Sequence, residues 1–242
     1  MIPLMLSLAL LAPAPPPSPL TLDEVVAKYA AARGGLERWQ AVSSLEMTGI
    51  YASFSEEAPF TLRRQRPNLY RFESAMVKKP TVLAHDGRDP WLHYPMYEIM
   101  KPVKAEDPLT VLIAQDAEFE PALIRAREKG HKVELDGRGD VDGQETVRLK
   151  VTRADGWEET WHLDPKTWLE VAVDSKTFDY TQRGEAMKQR AFFSDFRTVD
   201  GLVIPHRVEK EYGARLSVLT VDKVRLNPPL DEASFKMPAP SP

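Results

Sequence analysis

Cysteine is absent from all 242 residues, so the chain forms no disulfide, presents no thiolate nucleophile and builds no cysteine-rich zinc site. The same absence removes the attachment point that a bacterial lipoprotein uses for its lipid. Positive charge is nowhere concentrated. Lys and Arg number 32 against 36 Asp and Glu, the formal net charge is −4, and no dense basic block stands ready to clamp a polyanion. A nucleic-acid partner is therefore not expected. The strong catalytic signatures are missing as well, with no Gly-x-Ser-x-Gly elbow, no His-Glu-x-x-His pair and no Walker loop. Long apolar runs are also lacking. The most apolar run, Ile2 to Ala12, is 11 residues long, and a membrane span needs about 20 apolar residues.

That short run fits the central region of a secretory signal, with small residues at Ala12-Pro13-Ala14. Residues 1–19 accordingly read as a signal-peptide-like segment with a Pro-rich spacer, and the expectation is an exported, periplasmic protein. Hydrophobic residues at 43% and charged residues at 28% place the remainder among ordinary globular chains. Residues 20–238 read as one domain, and 239–242 as a disordered tail.

The domain opens with a helix. Thr21-Leu22-Asp23-Glu24 has capping-box spacing, Leu22, Val25, Val26 and Tyr29 follow on one face, and Gly34-Gly35 stops it. A second short turn from Leu36 to Val42 carries Trp39. From Ser43 the period becomes two. Successive β-rich stretches, Trp168 to Thr177 among them, are separated by Asp86-Gly87, Asp142-Gly143, Asp155-Gly156, Asp164-Pro165 and Asp200-Gly201, each a turn signal. In the middle, Asp107-Pro108 starts a helix bearing Leu109, Leu112 and Ile113, and Glu120-Pro121 predicts another that ends at Gly130. Along Val147, Leu149 and Val151 the apolar residues alternate with Arg148, Lys150 and Thr152, so one face of the sheet is covered and the other wet. The expected fold is mainly β with covering helices, a curved antiparallel sheet forming an incomplete barrel.

Candidates for chemistry are few. His85, Asp86 and His93 flank one hairpin, but as polar residues beside a turn they do not make a metal site. The stretch from Asp136 to Gly143 lacks the acids an EF-hand loop needs at Arg138 and Leu149. Glu158 and Glu159 point to opposite faces of a strand and cannot share a proton. No catalytic residue, metal or cofactor is expected. What remains is apolar surface, read either as ordinary core or as the lining of a cleft for a fatty chain. Met47, Trp91, Tyr94, Leu112, Leu149, Trp157, Trp161 and Phe193 are the candidate lining.

Several stretches carry a family resemblance. They are Leu22 to Tyr29 with Gly34-Gly35-Leu36-Glu37, Glu128 to Leu135, Val141-Asp142-Gly143, Phe193 to Gly201 with Ile204-Pro205, Asn227 to Asp231, and Phe235 to Pro238. On these the chain resembles the outer membrane lipoprotein-sorting protein family, which is related in fold to the carrier LolA and the receptor LolB. The resemblance implies an open barrel with helices on its concave side and a periplasmic setting. It implies a non-catalytic carrier or chaperone that binds a lipid or lipoprotein by its acyl chain. An envelope scaffold or sensor that binds a protein partner is the alternative, and a hydrolase with a dispersed site is a third.

Overall fold

The computed structural model describes residues 20–178 and 185–239, so the signal-like segment 1–19 and most of the expected tail lie outside the described residues. Helix α1 is Leu22–Ala32 and α2 is Leu36–Ala41. The capping box forms: Glu24 N–H donates to Thr21 Oγ1 at 3.3 Å, and Thr21 N–H donates to the Glu24 carboxylate at 3.0 Å. Strands β1 Ser44–Ser53, β2 Glu56–Gln65, β3 Leu69–Ser74, β4 Thr81–Asp86, β5 Pro90–Tyr94 and β6 Ile99–Lys104 make the first half of the sheet. After helix α3, Leu109–Asp116, come β7 Lys132–Val141, β8 Gln144–Thr152, β9 Glu158–Leu163 and β10 Glu170–Phe178. Strands β11 Ala186–Val199, β12 Leu202–Tyr212 and β13 Arg215–Leu226 complete it.

Among the described residues these thirteen strands form one antiparallel sheet, ordered β6-β5-β4-β3-β2-β1-β13-β12-β11-β10-β9-β8-β7. Every neighbour pair is a hairpin partner in sequence except β1 with β13, which joins the two halves. Strands β6 and β7 end the sheet without meeting, so the barrel is open. Its curvature follows from the core. Six strand steps separate β1 from β8, which in a flat sheet is ~29 Å at about 4.8 Å per step. Yet Leu45 of β1 and Val147 of β8 belong to one buried cluster with Val25 and Tyr29 of α1. The sheet must curl around the helix for this to happen.

Two glycines set close approaches. Gly34, at φ +103°, ends α1 against the β11–β12 turn, where an added Cβ would lie 2.2 Å from the Gly201 carbonyl oxygen. Gly49 sits at the bulge between β1 and β13, where a Cβ would meet the Thr220 carbonyl oxygen at 2.0 Å.

Three local expectations are corrected. The helix predicted from Glu120 is a run of turns, broken at Arg125, whose φ of +53° is incompatible with a right-handed helix. Strand β6 has no counterpart in the sequence reading, because Lys101, Pro102 and Lys104 look like loop chemistry. Trp168, read as a strand start, lies in the turn before β10 at φ +62°.

Candidate functional site

The concave face carries two apolar clusters. In the first, Val25 and Tyr29 of α1, Trp39 of α2, and Phe119, Leu123 and Ile124 of the crossing segment pack on strands β8 to β10 and β12. In the second, Ile113 of α3 and Ala117 pack on Phe60, Tyr70, Phe72 and Val221. The clusters meet on the floor of the half-barrel. Leu62, Met47 and Val224 stand in register across β2, β1 and β13, are only partly buried, and pack against both clusters. The concave face is thus one apolar surface, covered by segments that are not part of the sheet.

Four of the eight predicted lining residues gather there. Leu149 (0% exposed) and Trp161 (5%) are core members of the first cluster, and Met47 and Phe193 pack against it. In this conformation α1 lies over Leu149 and Trp161, so a ligand reaches them only if the helix moves. The others lie elsewhere. Leu112 is half-buried on α3, and it is the neighbouring Ile113 that enters the second cluster. Tyr94 is buried with its ring 4.6 Å from that of Tyr97, and Trp157 lies 5.8 Å from Phe178. Trp91 is on the opposite, outer face. Leu83 of β4 packs into the concave cluster, so its neighbours Val82 and Ala84 point outward, and Trp91 joins them.

A charged pair is sealed inside the first cluster. Arg33 Nη1 donates to Glu170 Oε1, both side chains being almost wholly buried. The guanidinium sits 5.7 Å from the Trp39 ring and 5.8 Å from that of Phe196. Tyr29 Oη, Arg33 Nε and Glu170 Oε2 are buried with no partner among the described residues. Burial, and then the charge of Glu170, push the Tyr29 phenol well above its ordinary range.

The opening between the sheet's two halves is laced by charges that sequence reasoning missed. Glu118 accepts from Arg153 at 2.5 Å, Lys129 at 2.9 Å and His131 at 2.9 Å. Glu120 accepts from Arg66 at 2.6 Å and Arg125 at 3.0 Å, and Arg66 also donates to the Trp39 and Val42 carbonyls at the end of α2. Beside this network lies a cleft of about 540 Å³. Burial alone would raise the Glu118 carboxyl, but Lys129, Arg153 and His131 outweigh it and hold the group below its ordinary value of 4.5. A depressed carboxyl contributes stability above its unfolded value and loses it as pH falls through the folded one. Unfolding midpoints measured from pH 6 to 3 are therefore expected to fall more steeply in the parent than in Glu118→Gln. Parallel curves would mean that Glu118 is not held by these cations.

Among the described residues no group of three or more His, Cys, Asp or Glu is placed to hold a metal ion, and no helix is long and apolar enough to cross a membrane.

No protein-family model matches the chain, and no curated protein matches it either. Solved structures do. A LolA superfamily protein from Nitrosomonas europaea superposes with a TM-score of 0.58 at 13% identity, over 90% of this chain and 98% of its own. The chain has a LolA-like fold. An outer membrane lipoprotein-sorting protein domain from Vibrio parahaemolyticus gives a TM-score of 0.55 at 13% identity, covering 88% of this chain and 94% of that one. A DUF1329 family protein from Desulfovibrio piger gives 0.54 at 14%, over 88% and 97%.

On the outer face of this LolA-like sheet the C-terminal strap takes up the remaining apolar surface. The turn Glu232–Phe235 buries Phe235, the Trp91 indole N–H donates to the Phe235 carbonyl at 2.8 Å, and Met237 packs against the Trp91 cluster. Trp91 is therefore a structural residue beneath the strap, away from the concave floor.

Proposed function

We propose that the chain is an exported, non-catalytic carrier that shelters the acyl chain of a lipid or lipoprotein between the concave floor and the segments covering it. The observation that carries this reading is the row Leu62–Met47–Val224, partly buried and continuous with both apolar clusters. Each methylene removed from water contributes about 0.8 kcal/mol, so a C16 chain on such a floor contributes on the order of 10 kcal/mol before the costs of association. Methionine at the centre adapts to an irregular tail. The similar fold of a lipoprotein-sorting domain supports the reading.

Mass spectrometry of organic extracts from the purified protein, together with titration of a fluorescent fatty acid, tests it. Co-purifying acyl lipid and micromolar or tighter binding are expected. Met47→Glu places a charge on the floor and is expected to weaken binding at least tenfold while the protein stays folded. Parent protein that carries no lipid and binds no fatty acid would overturn the carrier reading. A protein-binding scaffold is the second reading, favoured by β7, which ends the sheet with no strand beyond it among the described residues. Crosslinking that recovers one stoichiometric protein partner and no lipid would favour it.

A further inference from the structure

Four cations, Arg66, Arg125, Lys129 and Arg153, converge on the cleft beside Glu118 and face the carboxylates Glu118, Glu120, Asp155, Glu128 and Glu159. Its two central carboxylates already receive five basic partners between them. The guanidiniums of Arg66, Arg125 and Arg153 each engage through Nε and one terminal nitrogen. Their other terminal nitrogens, Nη1 of Arg66 and Nη2 of Arg125 and Arg153, have no partner among the described residues. Unengaged guanidinium N–H groups of this kind can donate to phosphate and carboxylate oxygens.

The cleft is also amphiphilic, and its wall shares Phe119 with the first concave cluster. Its volume of about 540 Å³ falls within the roughly 300–1,000 Å³ of small-molecule sites. Phe119, Pro67, Ala114 and Ala154 supply apolar wall between the charges. Phe119 lines the cleft and belongs to the first concave cluster, while Ala117, two residues away, belongs to the second. The cleft therefore borders the covering segment that links the two apolar clusters. Resting on the carrier reading, we propose that this cleft binds the anionic head of an amphiphile, a phosphate or carboxylate, whose acyl chain lies on the concave face.

Calorimetric titration of the full protein with 1-palmitoyl lysophosphatidic acid, 1-palmitoylglycerol and inorganic phosphate separates the possibilities. The anionic lipid is expected to bind at least tenfold tighter than the neutral one, and the gap is expected to narrow as salt is raised. Arg125→Gln with Lys129→Gln should remove the gap and leave the neutral lipid's affinity unchanged. Arg125→Gln alone serves if the double variant fails to fold, and melting curves decide which is used. Equal affinity for the two lipids, or a gap untouched by the variants, overturns this proposal and leaves the carrier reading standing. Binding of neither lipid overturns both. Inorganic phosphate binding as tightly as the lysophosphatidic acid shows a free-anion site and overturns the assignment to a lipid head.

Discussion

Glu170→Ala is expected to destabilise the protein by about 3–5 kcal/mol, because it strands a buried guanidinium with nothing opposite it. Arg33 is almost fully buried at the C-cap of α1, near the Trp39 and Phe196 rings, and Glu170 is the carboxylate facing it. Burial alone would lower the Arg33 proton affinity, and Glu170 reverses that, so the guanidinium stays charged in the fold. Urea unfolding at neutral pH measures the loss. Replacing both partners, Arg33→Met with Glu170→Leu, is expected to recover most of it, since the cost lies in the orphaned charge and not in the missing pair. A Glu170→Ala protein that unfolds at the parent's urea concentration would show that water reaches Arg33 in the native state.

Trp161→Ala is the second large effect, expected at about 3–5 kcal/mol for a buried aromatic truncated to a methyl group. The indole is 5% exposed, and its ring meets that of Tyr29 edge-on at 6.0 Å and 87°. Its Nε1–H donates to Glu159 Oε2 at 2.8 Å, and Glu159 Oε1 accepts from Arg153. Truncation therefore opens a void under α1 and takes a donor from a buried carboxylate. Trp161→Phe keeps most of the volume and loses only the donor, so it is expected to cost about 1–3 kcal/mol. Equal losses for the two variants would assign the whole effect to the hydrogen bond and none to packing.

Much of this architecture was legible because turns and periods are local. Asp142-Gly143 and Asp200-Gly201 have positive φ at both residues, as the primed hairpin turns require, and both were readable as dipeptides. The capping box at Thr21 was readable for the same reason. Facing was not. Alternation says that Trp91 and Leu83 point to opposite sides, but not which side is concave, and the strap that buries Trp91 lies more than 140 residues downstream. The charged cleft was illegible because Arg66 and Arg153 come from the β2–β3 and β8–β9 turns, far in sequence from the segment that carries Glu118 and Lys129. The one available signal was Glu118-x-Glu120 followed by Arg125 and Lys129, a cluster of charges inside a segment that otherwise reads as an apolar-faced helix. Tertiary ion pairs and the left-handed Arg125 overrode the helical period there.

The pairing of β1 with β13 has a mechanical consequence. Leu45 stands opposite Leu226, and Ser43 N–H bonds the Asn227 side chain at 2.8 Å, so both strands enter and leave this ladder at the same end. Tension applied there, between the stretch before β1 and the stretch after β13, loads the rungs one after another like a zip, whereas tension along the strands would load them all together. Of all the joints in the sheet this is the one whose parting separates the halves as intact meanders. A pull from outside, on either flank of that ladder, would split the trough lengthwise along its floor.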